Sequence, residues 1–205
     1  MIKQLSWGLP VLAGLMTVVA GGVAAQTTNC TTVLTPGSST SVNVPAGATC
    51  TVSGPGTVDV AGNVSVGTNG SLAFTSNANF VVNGSLIGTN AFTIDISPAS
   101  GGAASILGSV SLTGIAGFVG IDNSFIGGTL SVSGSNPVDI FVVSNTVSGN
   151  VLIRNNTTRG GANSDVIQGN TIGSSLVCSG NVPAPVDLGT ANTVGGNKVG
   201  QCSGL

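Results

Sequence analysis

The chain has 205 residues, of which 5% are charged and 41% hydrophobic, with no histidine and a formal net charge of −2. So few charges exclude the basic footprint of a nucleic-acid binder and electrostatic attraction to anionic lipid. The missing imidazole removes Ser-His-Asp, Cys-His and histidine-ligated zinc chemistry.

Residues 1–25 read as a signal peptide. Lys3 supplies the positive start, Leu5 to Val19 the apolar stretch, and Val23-Ala24-Ala25 a small-residue cleavage site before Gln26. An uncleaved membrane anchor is the rival reading, since about 20 apolar residues span a bilayer. Pro10, Gly14, Gly21 and Gly22 favour cleavage, and no cysteine stands at the cleavage point to take lipid. The expectation is a protein that is secreted, extracellular or on the cell surface, with no stable membrane insertion once the signal is removed. The remaining chain has no His, Tyr, Trp, Met or Glu. Its six aspartates (Asp59, Asp95, Asp122, Asp139, Asp165, Asp187) stand against Arg154, Arg159 and Lys198, so six minus three leaves a net charge of −3.

Residues 26–49, rich in Thr, Ser, Pro and Gly, read as an N-terminal capping segment. From Cys50 to about residue 180, short runs such as Thr57-Val58-Asp59-Val60 and Ser71-Leu72-Ala73-Phe74 alternate apolar and polar residues, the mark of half-buried strands. Gly62, Gly67, Asn69-Gly70 and Asn83-Gly84 punctuate them as turns. Helix-forming residues are scarce, which excludes long helices. Val64, Leu86, Val110, Leu130, Val151 and Leu176 line up as equivalent inward positions, spaced 22, 24, 20, 21 and 25 residues apart. Over residues 117–200 a short phrase returns four times: Asn123-Ser124-Phe125, Asn145-Thr146-Val147, Asn170-Thr171-Ile172 and Asn192-Thr193-Val194.

A period of 20–25 residues built from short apolar runs indicates a solenoid. Strict hexapeptides cannot be laid through the chain, so the spacing predicts an all-β, single-domain, right-handed parallel β-helix of six to seven coils. A hairpin-built sandwich is the alternative, but it gives no reason for Asn to return before an inward residue. In a β-helix, Asn123, Asn145, Asn170 and Asn192 would stack as an amide ladder, at corners whose left-handed backbone Asn tolerates. Phe125, at the place of Val147 and Ile172, and the other five phenylalanines are expected inside.

The four cysteines suggest two disulfides in an exported chain. Three pairings are open, and the spacings of 20 and 24 residues, about one period each, favour Cys30–Cys50 and Cys178–Cys202. Residues 181–205 then form a C-terminal coil and clip.

Three phrases carry a family resemblance: Pro45-Ala46-Gly47-Ala48-Thr49-Cys50, Asn192-Thr193-Val194-Gly195-Gly196-Asn197-Lys198, and Gly200-Gln201-Cys202. The chain resembles a group of small secreted right-handed parallel β-helix proteins of actinobacteria, over most of residues 44–202. Val199 stands where an acidic residue is expected, and residues 88–120 fit least well. The resemblance implies an exported β-helix and brings no chemistry, cofactor or catalytic residue with it.

The residues themselves offer little catalytic machinery, and the chain is expected not to be an enzyme and to need no cofactor. By analogy with polysaccharide-cleaving β-helices, Asp139, Asp165 and Asp187, with Arg154 and Arg159 nearby, are the candidates for a carboxylate or calcium site. Asp165 and Asp187 each lie five residues before a ladder asparagine and so should stack. The plainer alternative makes these aspartates solvated turn residues. Three functions follow. The first is a non-catalytic structural or surface-interaction module in contact with cell envelope or polysaccharide. The second is a carbohydrate-active or calcium-dependent polysaccharide-binding β-helix. The third is a fibre-forming surface protein, since unpaired end strands template growth.

Overall fold

A computed structural model describes residues 26–99 and 101–205; the predicted signal peptide lies outside the described residues. The described chain winds as a parallel β-helix with three strands to most coils, and it contains no helix. Three parallel sheets of nine, seven and eight strands form its sides, here called sheets 1, 2 and 3 in the order the chain visits them. The winding makes about eight turns rather than six or seven. The difference lies at the ends. Residues 26–49 are no separate cap: Thr27–Asn29, Val33–Leu34 and Gly37–Ser39 form a complete first coil, and Ser41–Val44 already belongs to the second.

The inward column of sheet 1 follows the expected spacing. Val64 pairs with Leu86, Leu86 with Val110, Val110 with Leu130, Leu130 with Val151 and Val151 with Leu176. Alternation along each strand sends these side chains into one continuous core, because successive side chains of a strand point to opposite faces. Coils of unequal length stay in register because the extra residues are shed at corners.

Where sheet 3 turns into sheet 1, the coils touch backbone to backbone. Gly84, Gly108, Gly128 and Gly149 each donate an N–H to the glycine carbonyl one coil below, at 2.8–3.0 Å. A Cβ on Gly108 would lie 2.5 Å from the Gly84 carbonyl oxygen, so close approach rather than flexibility requires glycine there.

The disulfides are Cys30–Cys50 and Cys178–Cys202, with Cα separations of 5.4 and 5.2 Å. Each is offset from the vertical. Cys178 pairs across the ladder with Gly200, two residues before Cys202, and Val33 pairs with Thr51, which sets Cys50 beside Thr32, two residues after Cys30. Such disulfides suit an oxidising compartment. Replacing Cys178 and Cys202 together by Ala should lower unfolding free energy by about 3 kcal/mol in the chain-entropy account. Urea denaturation would measure it, and an unchanged midpoint would show that the final coil needs no clip.

Only two phenylalanines enter the core, where Phe74 and Phe80 meet edge-to-face at 5.4 Å. Phe118 and Phe141 lie half-buried on the outer face of sheet 2, edge-to-face at 5.8 Å, while Phe92 and Phe125 are exposed. The expectation of an all-internal set fails because strand parity puts Phe118, Phe125 and Phe141 on the outward side, while Phe92 lies in the turn before Thr93–Ile96.

Candidate functional site

The ladder asparagines are internal. Asn145, Asn170 and Asn192 are buried at the corner where sheet 2 passes into sheet 3. The Asn145 side-chain amide donates to Asn170 Oδ1 at 3.1 Å and to the Ile121 carbonyl at 2.6 Å. Asn170 repeats the pattern one coil on, donating to Asn192 Oδ1 at 2.8 Å and to the Val142 carbonyl at 2.8 Å. Each Oδ1 also accepts the backbone N–H of the asparagine below, at 2.9 and 3.1 Å. Backbone groups that the corner removes from the sheets are thereby satisfied.

Asn123 is not in this ladder. Phe125 pairs with Thr146 and Ile126 with Val147, so Ser124 occupies the ladder position and its N–H donates to Asn145 Oδ1 at 3.0 Å. Asn123 is exposed at φ 47° and stacks instead on Ser144, at φ 56°. The two phrases look alike in sequence, but they are one residue out of register, and a slip of one exchanges inside for outside. Phe125 therefore matches Thr146, not Val147.

A second internal ladder escaped the sequence reading. At the corner from sheet 1 to sheet 2, Asn156 donates its side-chain amide to Asn181 Oδ1 at 3.0 Å, and Asn181 to Gln201 Oε1 at 3.1 Å. Ser135 begins the stack, its N–H donating to Asn156 Oδ1 at 3.0 Å. The available signal was the 25-residue step from Asn156 to Asn181, equal to that from Asn145 to Asn170.

The nominated carboxylates do not come together, and among the described residues no group of three potential ligands could hold a metal ion. Asp187 sits in a turn and its Oδ1 accepts the Gly189 N–H at 3.1 Å. Asp165 pairs with Ile140, and the neighbouring Val166–Val186 bridge sets it beneath Pro185, so Asp165 and Asp187 do not stack. Asp139 lies just before Ile140–Val143, against Gly160. Arg154 projects from sheet 1, in register with Ser133 and Ser179, on a different side of the prism from Asp165. Arg159 donates to the Ala116 carbonyl at 2.6 Å.

Asp165 is anomalous in another way. It points inward in the Ile140 column, 1% exposed, and neither carboxylate oxygen has a hydrogen-bond partner among the described residues. Burial pushes its pKa up to about 7. On the outer face of sheet 2, Asp95 and Asp122 are also held above the ordinary carboxylate value, chiefly by burial. The Ser97 hydroxyl, 3.3 Å from Asp122 Oδ2, partly offsets this.

A concave surface with accessible polar groups lies elsewhere, on the outside of the corner from sheet 2 to sheet 3. Between Thr93–Ile96 and Ala104–Ile106 the chain makes a long excursion; between Phe118–Asp122 and Ser124–Ile126 only Asn123 intervenes. Beside these corners lies a hollow of about 390 Å3, lined by Ala103, Ser105, Asn123, Phe125, Ser144 and Thr146 among others. Among the described residues its lining carries no titratable side chain. No family model, curated protein or solved structure matches the chain.

Proposed function

We propose that the protein is a secreted, non-catalytic β-helix that works as a rigid structural or surface-interaction module, related to the small actinobacterial β-helices it resembles. The observation that carries this is the neutrality of the hollow: hydroxyls, one amide and one phenyl ring, with no acid, base or activated nucleophile beside them. General acid–base catalysis requires a titratable group within hydrogen-bond reach of the reacting atoms. Of the aspartates with raised pKa, Asp165 lies inside the core, while Asp95 and Asp122 are neighbours on the outer face of sheet 2, away from the hollow. Stacked amides, a glycine corner and two end clips suit a body that holds its shape while it presents an outer surface.

Incubation of the mature protein with isolated bacterial envelope and with insoluble polysaccharides tests this. The protein is expected to sediment with at least one of them while releasing neither reducing ends nor unsaturated products. Product release abolished by Asp95→Asn or Asp122→Asn would establish the carbohydrate-active reading instead.

A further inference from the structure

We propose that the hollow at the corner from sheet 2 to sheet 3 is a binding site for a neutral saccharide unit, with the Phe125 ring as its stacking face. The proposal rests on the surface-interaction reading and names a ligand class for it.

Three observations converge. Phe125 is 38% exposed and stands in an outward column between Ser105 and Thr146, both too small to cover its ring. A phenyl ring left open to solvent in this way offers an apolar face to the C–H face of a pyranose. Next, the side chains of Ser105, Asn123, Ser144 and Thr146 make no hydrogen bond to protein among the described residues. The hydroxyl and amide groups elsewhere in this corner are engaged: Ser124 Oγ donates to the Asp122 carbonyl at 2.8 Å, and the Asn145 amide is fully committed to the ladder. Four free groups, each able to donate and accept, surround one aromatic face. Finally, the left-handed residues Asn123 and Ser144 make the corner tight in two successive coils. The hollow beside them, of about 390 Å3, is within the usual range of small-ligand sites.

The chemistry of the lining selects the occupant. Among the described residues no charged side chain lines the hollow, so neither an anion nor a cation finds a counter-charge there. A single large apolar side chain gives an aliphatic peptide or lipid chain too little surface to bury. A polyhydroxylated neutral ring matches both the free polar groups and the single stacking face. Because Phe125 and Thr146 project from paired strands, the backbone positions of the contacts are fixed before binding, which lowers the ordering cost.

The test uses the mature protein labelled with 15N and titrated with four neutral oligosaccharides: cellohexaose, xylohexaose, mannohexaose and chitohexaose. One of them is expected to shift the amide signals of Ser105, Phe125, Ser144 and Thr146. Phe125→Ala should weaken its binding about tenfold or more, and Phe92→Ala, which removes the exposed ring outside the hollow, should leave it unchanged. Both rings are solvent-exposed, so neither change threatens folding. Binding that maps to another face and ignores Phe125→Ala overturns the site while leaving the surface-module reading in place. No shift at these residues with any of the four sugars also overturns it. Sedimentation with envelope or insoluble polysaccharide then reports separately on the broader function.

Discussion

Asn170→Ala should destabilise the protein by about 3–5 kcal/mol, while Asn123→Ala should change stability by less than about 1 kcal/mol. The two residues open near-identical phrases, so the contrast isolates what the ladder does. Removing the Asn170 side chain leaves the Asn145 N–H and side-chain amide without their acceptor, the Val142 carbonyl without its donor, and Asn192 Oδ1 without its side-chain donor. All lie in a buried corner that water cannot reach. Each buried polar group stripped of its partner costs about 1–3 kcal/mol. Asn123, exposed, loses only its tolerance of the left-handed backbone. Urea unfolding of both variants beside the parent measures the difference. Equal midpoints for the two variants would refute an energetic role for stacked amides.

A second large effect concerns pH. With a folded-state pKa raised from 3.8 to about 7, Asp165 keeps its proton in the folded protein over a range where the unfolded chain has already released it. Stability is therefore greatest below about pH 4 and falls as the pH rises from there to about 7, where the folded carboxyl also ionises. The sign is opposite to that of a salt-bridged carboxylate, whose contribution is lost on acidification. The displacement corresponds to destabilisation on the order of 4 kcal/mol above pH 7. Asp165→Asn removes the charge at nearly constant volume, so it should raise stability at pH 8 and leave it little changed at pH 4. Asp95 and Asp122, displaced in the same direction, should leave a smaller residual slope. Thermal unfolding of parent and variant from pH 4 to 8 would decide, and parallel curves would refute the buried-acid account. Asp165→Leu, which continues the Ile140 column, should stabilise further.

The register of the solenoid was legible because it depends on quantities carried along the chain: a two-residue alternation within strands and a 20–25-residue return between them. Val64, Leu86 and Val110 stack as their spacing requires, and the cysteine pairs close as their one-period separations suggest. Corners were harder to read. Asn123-Ser124-Phe125 imitates Asn145-Thr146-Val147, yet a single residue at the turn moves Asn123 to the surface and Phe125 with it. The carboxylates failed for a related reason. Equal spacing from the ladder asparagines did not stack Asp165 on Asp187, because the eighth coil reaches sheet 2 by a different path through Pro185 and Val186.

Composition and periodicity alone determined that this chain forms a parallel β-helix, tied by two disulfides and poor in catalytic groups, since strand alternation and coil length are local properties that add up along the sequence. Which side chains face outward at a corner, which acid is buried, and where a hollow opens depend on how one coil's turn sits on the next. Those contacts join residues more than twenty positions apart, and a one-residue difference in turn length reverses them. The candidate site around Phe125 exists only at that level.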